Sequence, residues 1–191
     1  MARISPASLA PPSDPPIVLV SNRGPVSFRR GDGGHLVAKR GAGGLVSGLG
    51  PLVAGTDAVW IAAAMSDADR EAAGKGLVDA EGFRARLLDI DPATYRQAYD
   101  VVCNATLWFL HHALFDLARR PRIDERWRQA WAAYRSMNET FADAVADEAA
   151  EGAAVLVQDY HLCLLGSALA ERRRDLRTVH FSHTPFASPD L

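Results

Sequence analysis

V-L-V-Q-D-Y-H-L at residues 155–162 and R-T-V-H-F-S-H-T-P-F at residues 177–186 are two short apolar, β-branched runs, each ending in a polar cluster. The first delivers Asp159, Tyr160 and His161; the second delivers Ser182 and His183. One helix-length segment, 164–174, separates them. Parallel strands need such a crossover and present side chains at their carboxyl ends, so the stretch reads as a β-α-β unit. The remainder of the chain is then the means of building a pocket around Asp159 and His183.

Upstream, residues 124–149 form the clearest helix. Trp127, Trp131, Tyr134, Phe141 and Val145 recur near helical period with charges between them, and Gly152 stops the run. Asp91-Pro92 opens a helix, and residues 95–112 continue it as a partly buried one carrying Tyr99, Val102, Leu107, Trp108 and Leu110. Residues 58–64 and 83–89 read as strands, with Ser66–Asp69 capping a short helix after the first. Glycines at 41–44 lead into Leu45, Leu49 and Leu52 at helical spacing, and Gly50-Pro51 is expected to shorten or kink that helix. I-V-L-V-S at 17–21 is a buried first strand ending at the Gly24-Pro25 turn. Residues 26–28 and 35–39 flank R-R-G-D-G-G as a β-hairpin. Residues 1–16 are Pro-rich with no continuous apolar core and read as a disordered tail, not a signal peptide. Ser188-Pro189-Asp190 would open a further element. The order predicts one α/β domain over 17–191, doubly wound on a mostly parallel sheet with a β-hairpin near its start, and incomplete at its end.

Composition narrows the partners. Apolar residues make up 48% and charged residues 23%, the balance of a soluble globular protein. A net charge of −2 with scattered basic residues gives no footprint for nucleic acid or an acidic membrane. No apolar run reaches spanning length, and two cysteines without C-x-x-C spacing fit reduced thiols in a cytoplasmic protein.

Several residues can carry chemistry. Arg23 follows the first strand, where a guanidinium can hold a phosphate or carboxylate in a fork; a surface salt bridge fits that position equally. The Gly41–Gly44 loop opens a helix, where backbone N–H groups can face a phosphate. It lacks a complete G-x-G-x-x-G and a P-loop lysine, and on its own fits a structural turn better. Asp159 can accept from sugar hydroxyls or cap the next helix. His161 fits a core histidine better than a catalyst. His183 follows V-H-F-S and precedes Thr184-Pro185, which fixes its ring toward a crevice. Tyr99, Trp108, His111 and His112 could wall a carbohydrate pocket, although a tryptophan at 108 is commonly core. No compact ligand motif supports a metal, no G-x-S-x-G elbow supports a serine hydrolase, and Ser182 faces away from His183 on a strand.

V-S-N-R at 20–23, G-G-L at 43–45, Asn104 with L-W at 107–108, D-Y-H-L at 159–162 and H-x-P-F at 183–186 occur in one order. That ordered set resembles the trehalose-6-phosphate synthases, retaining glycosyltransferases of family 20 with the two-domain GT-B fold. The resemblance implies that 17–191 is the N-terminal, acceptor-side, Rossmann-like half, with the C-terminal donor domain absent. It implies that Arg23 binds the phosphate of glucose 6-phosphate, that Tyr99 and Trp108 line the acceptor site, and that Asp159 contacts the acceptor glucose. His183 would lie near the donor sugar and the reaction centre, and Gly44 would approach the nucleotide-sugar phosphates. Asp159 and His183 are thereby the candidate catalytic residues. No cofactor and no metal are implied; the substrates are glucose 6-phosphate and a nucleoside diphosphate glucose, UDP-glucose or another. The full-length enzyme would be cytoplasmic and could assemble as a homo-oligomer. Three positions depart from the family pattern: Gln158 replaces a common histidine, Thr184 an apolar residue, and the A-A-A run near Ala63 a tryptophan, which alters a pocket wall. These leave related acceptors open, including those of a pseudo-glycosyltransferase branch.

The implied reaction transfers glucose with retention by same-face chemistry, in which the protein positions the substrates and stabilises the departing diphosphate. The groups that neutralise the diphosphate belong to the second domain in this family, so the chain alone is expected to be inactive. A non-catalytic sugar-phosphate-binding module is the other class the residues allow. A phosphatase or dinucleotide enzyme is disfavoured for want of its motifs.

Overall fold

A computed structural model describes residues 16–115, 122–185 and 187. The anticipated tail, the Ser188–Asp190 start and Phe186 of the last motif lie outside the described residues, apart from Pro16.

The main sheet has six strands. They are β1 (Ile17–Ser21), β4 (Val59–Ala63), β5 (Leu77–Ala80), β6 (Phe83–Leu88), β7 (Ala154–Gln158) and β8 (Arg177–Phe181), in the order β5-β6-β4-β1-β7-β8. All neighbours pair parallel except β5 with β6. The hairpin β2 (Val26–Arg30) and β3 (Leu36–Arg40) stands as a separate two-stranded sheet. The helices are α1 (Gly44–Val53), α2 (Asp67–Ala73), α3 (Pro92–Arg96), α4 (Trp108–His111), α5 (Glu125–Glu148) and α6 (Leu165–Arg172).

β1 is central and covered on both faces, which is why its sequence is continuously apolar rather than alternating. Val18 and Val20 pack with Ile61, Val155 and Val157 against Tyr134, Phe141 and Val145 of α5. Leu19 faces the other way, with Trp60, Phe83 and Val53, on the α1 side. From β1 the chain builds outward through β4 and β6 on one side, and returns to add β7 and β8 on the other. The direction of winding therefore reverses between β1 and β7. Loops diverge at such a point and leave a crevice beyond the strand ends. Ser21 and Gln158 are the last residues of those two strands.

Three local expectations are corrected. Residues 77–80 form an edge strand that was not anticipated. Its turn is Glu81-Gly82, with φ of 53° and 81°, the left-handed pair that closes two-residue hairpins. Glutamate is not a usual turn residue there, so the signal was weak. Pro51 does not shorten α1; the helix runs through it, and Ala54 N–H still bonds to Gly50 O at 2.8 Å. Residues 97–107 are helical but wound as a π-helix. Thr106 Oγ1 donates to Val101 O at 2.8 Å and accepts from Trp127 Nε1 of α5 at 3.1 Å, which ties the wide turn to its neighbour. Ala63 is 2% exposed and is not among the residues lining the cleft described below.

Candidate functional site

A cleft of about 620 Å³ lies at the carboxyl ends of β1 and β7. One wall is Ser21 to Gly24 after β1. Opposite are Gln158, Asp159 and His161 after β7, with His183 following β8. The floor on a third side is the start of α1, where Gly43, Gly44, Leu45 and Val46 line the space. Gly43 holds φ 127°, and the first helical bond of α1 runs from Ser47 N–H to Gly43 O. The N–H groups just before Ser47 therefore have no helical acceptor, and the positive end of the helix opens on the cleft. Tyr99, carried in by the π-helix, closes the remaining side.

Arg23 is exposed; its carbonyl accepts from the Ser21 hydroxyl at 2.7 Å, and its guanidinium makes no ion pair or hydrogen bond with another described residue. Asn22 beside it is fixed, accepting at Oδ1 from the Tyr95 hydroxyl at 3.0 Å. Burial pushes that hydroxyl's pKa up to about 12. Tyr95 stacks on Tyr99, about one helical turn on, at 5.5 Å. Tyr99 stacks on His161 at 5.6 Å, and His161 on Tyr160 at 4.4 Å.

Asp159 adopts φ 68° and ψ 170°, a conformation nearly confined to glycine. It is held there from several directions. Its N–H donates to Phe181 O at 2.7 Å, and its carbonyl lies 2.9 Å from His180 Nε2. Oδ1 accepts from Tyr160 N–H at 3.0 Å and from His183 N–H at 3.4 Å. Strain of this kind turns the carboxylate into the cleft rather than along the strand.

His161 Nδ1 is 3.8 Å from Asp159 Oδ2, too far for a hydrogen bond. Burial is the main influence on this ring and pushes its pKa down to about 4, with Asp159 opposing and Arg23 adding to the shift. His161 is therefore neutral near pH 7. The unfolded chain takes up a proton on this ring from about pH 6.5 downward, whereas the folded chain does so only near pH 4. The corresponding stability is fully present above pH 6.5 and is lost as pH falls toward 4. The expected loss is of order 3 kcal/mol. Urea titrations across that range should show it as the difference between wild type and His161→Phe; parallel curves would refute a buried neutral histidine.

Arg23, Gly44, Tyr99, Asp159 and His183 thus meet at one cleft, as do Gln158 and His161, which sequence reasoning did not place in the site. Trp108 does not line it. Its ring stacks on His112 at 4.2 Å and packs on the core beside α5. His112 Nδ1 lies 2.6 Å from Trp108 O, and His111 Nδ1 lies 2.8 Å from Thr184 Oγ1. Among the described residues no group of three or more His, Cys, Asp or Glu side chains is arranged to hold a metal. No helix of the described residues is long and apolar enough to cross a membrane.

Residues 15–191 match the model of glycosyltransferase family 20. The chain is 36% identical over 188 residues to the trehalose-6-phosphate synthase of Mycolicibacterium gilvum, covering 97% of this chain and 36% of that one. It is 37% identical over 179 residues to the enzyme of the same name from Mycolicibacterium vanbaalenii, covering 91% and 35%. Among solved structures, it superposes with a TM-score of 0.68 on the UDP-forming α,α-trehalose-phosphate synthase of Burkholderia vietnamiensis. That match has 26% identity and covers 92% of this chain and 34% of that one. The chain therefore spans about a third of the length of the relatives it matches.

Proposed function

We propose, from the premise that the chain belongs to glycosyltransferase family 20, that it forms the acceptor side of an α,α-trehalose-phosphate synthase. In this reading Arg23 holds the phosphate of glucose 6-phosphate and the Asp159 carboxylate accepts from its sugar hydroxyls. Tyr99 flanks the ring. The N-terminus of α1 at Gly44 meets the donor, for which UDP-glucose is the choice suggested by the UDP-forming Burkholderia relative, and His183 stands at the reaction centre beside both sugars. The observation that carries the reading is that Arg23, whose guanidinium is unpaired among the described residues, lines the same cleft as Asp159 and His183 at the sheet's switch point.

The chemistry asked of these residues is positional. A cation and an acceptor on opposite walls fix both ends of a sugar phosphate, so its orientation is set before any bond changes. The helix N-terminus supplies partial positive charge where a diphosphate accumulates negative charge on leaving. These residues account for the acceptor side alone, in a stretch about a third of the relatives' length. Amide NMR titration tests the binding half. Glucose 6-phosphate should shift the signals of residues 22–24, 44–46, 99 and 159–161, and glucose at equal concentration should shift them far less. Equal responses to both sugars, or no response to either, would refute a sugar-phosphate site.

A further inference from the structure

Gln158 ends β7 as a residue only 5% exposed, and both ends of its amide are occupied. Nε2 donates to Leu156 O at 3.3 Å, and Oε1 lies 3.0 Å from His183 Nε2. The opposite amide orientation would set Oε1 against the Leu156 carbonyl, two acceptors face to face, so the oxygen is the atom turned to the histidine. An amide oxygen only accepts. His183 Nε2 must therefore carry hydrogen, and in the neutral ring Nδ1 keeps its lone pair. Nδ1 makes no hydrogen bond to a described residue. The ring is also confined by Phe181, with centroids 4.8 Å apart and planes tilted by 58°.

We propose that Gln158 is a positioning residue that holds His183 as the Nε2–H tautomer, so that Nδ1 stands in the cleft as a fixed acceptor for a hydroxyl of the bound sugar. The tautomer depends on this chain alone; the hydroxyl partner rests on the sugar-phosphate reading. The consequence is directional. With Asp159 and His183 Nδ1 both accepting and Arg23 only donating, the cleft orders its ligand with hydroxyls toward β7 and the anion toward β1.

Long-range proton–nitrogen NMR on the ¹⁵N-labelled 191-residue chain tests the tautomer, with His183 identified from the His183→Asn spectrum. Above the ring's titration, Nε2 should resonate as a protonated nitrogen and Nδ1 as an unprotonated one, without averaging. Gln158→Met fills the same space with no acceptor of comparable strength and should move both nitrogens toward the solvent mixture. Gln158→Glu places a charge at the contact and should raise the His183 midpoint by about one unit or more. The other charged or titratable groups around the cleft, Asp159, His161 and Arg23, are the same in both proteins. Averaged nitrogens in the wild type, hydrogen on Nδ1, or an unmoved midpoint in Gln158→Glu would overturn the proposal. Should Gln158→Met fail to fold, the wild-type tautomer and Gln158→Glu decide it. Glucose 6-phosphate should then shift Nδ1 much more than Nε2. Binding with Nδ1 unmoved would remove the hydroxyl contact and leave the sugar-phosphate reading standing. Absence of binding would remove that reading and leave the tautomer intact.

Discussion

Arg23→Ala is expected to lower affinity for glucose 6-phosphate about 100-fold and leave the stability of the chain unchanged. The two halves of that expectation have one cause. The Arg23 guanidinium is exposed and bonds to no described residue, and the backbone bond from Ser21 survives the substitution, so the folded chain loses nothing with the side chain. A phosphate loses a two-pronged, charge-assisted contact of about 3 kcal/mol. Arg23→Lys should fall between, because an ammonium keeps the charge and loses the fork. Binding of unphosphorylated glucose should not respond to either change. Calorimetric titration with both sugars, beside urea unfolding of each variant, measures all of this. Equal affinities of wild type and Arg23→Ala for glucose 6-phosphate would sink the phosphate-clamp assignment, and a large fall in stability would show that Arg23 supports the fold instead.

The parallel sheet was legible because its central strands are apolar without interruption, as in I-V-L-V-S and A-V-W-I-A, and because caps such as Ser66 and Asp91 sit where chain chemistry demands them. The cleft was legible where a polar residue follows an apolar strand directly, which covers Arg23, Asp159 and His183. Features set by long-range packing were not. The π winding that delivers Tyr99 depends on Thr106 bonding to Trp127 of α5, 21 positions away. The family resemblance places Trp108 beside Tyr99, and the packing of Trp108 on the core with His112 keeps it out of the cleft. Gln158 is a similar case. As the last strand residue it reads as an ordinary polar end, and its role emerges only once β8 lies beside β7 and places His183 within reach of the amide. His161 reads as core from its apolar surroundings. It is in fact a largely buried lining residue that stacks between two tyrosines and is kept neutral by burial.

Asp159 separates backbone strain from ligand chemistry, because glycine and alanine should there reverse their usual order. Both substitutions remove the carboxylate, and with it the bonds from Tyr160 N–H and His183 N–H, at about 1 kcal/mol each. Alanine must still adopt φ 68° and ψ 170°, and does so less readily than aspartate, whose short polar side chain tolerates positive φ. Glycine occupies that region freely, which recovers about 1–3 kcal/mol of strain against about 0.5–1 kcal/mol of added backbone entropy. Asp159→Gly should therefore be more stable than Asp159→Ala by about 1–2 kcal/mol, whereas at an ordinary strand end alanine is the better residue. Affinity for glucose 6-phosphate should fall in both variants alike, by about 10- to 100-fold, since each lacks the acceptor for the sugar hydroxyls. Urea unfolding and calorimetric titration of the pair read the two effects independently. If alanine proves as stable as glycine, the native structure does not hold the strained conformation. If glycine restores stability and binding together, the carboxylate has no part in the site, and the strain at the end of β7 serves only to lead the chain into Tyr160 and His161.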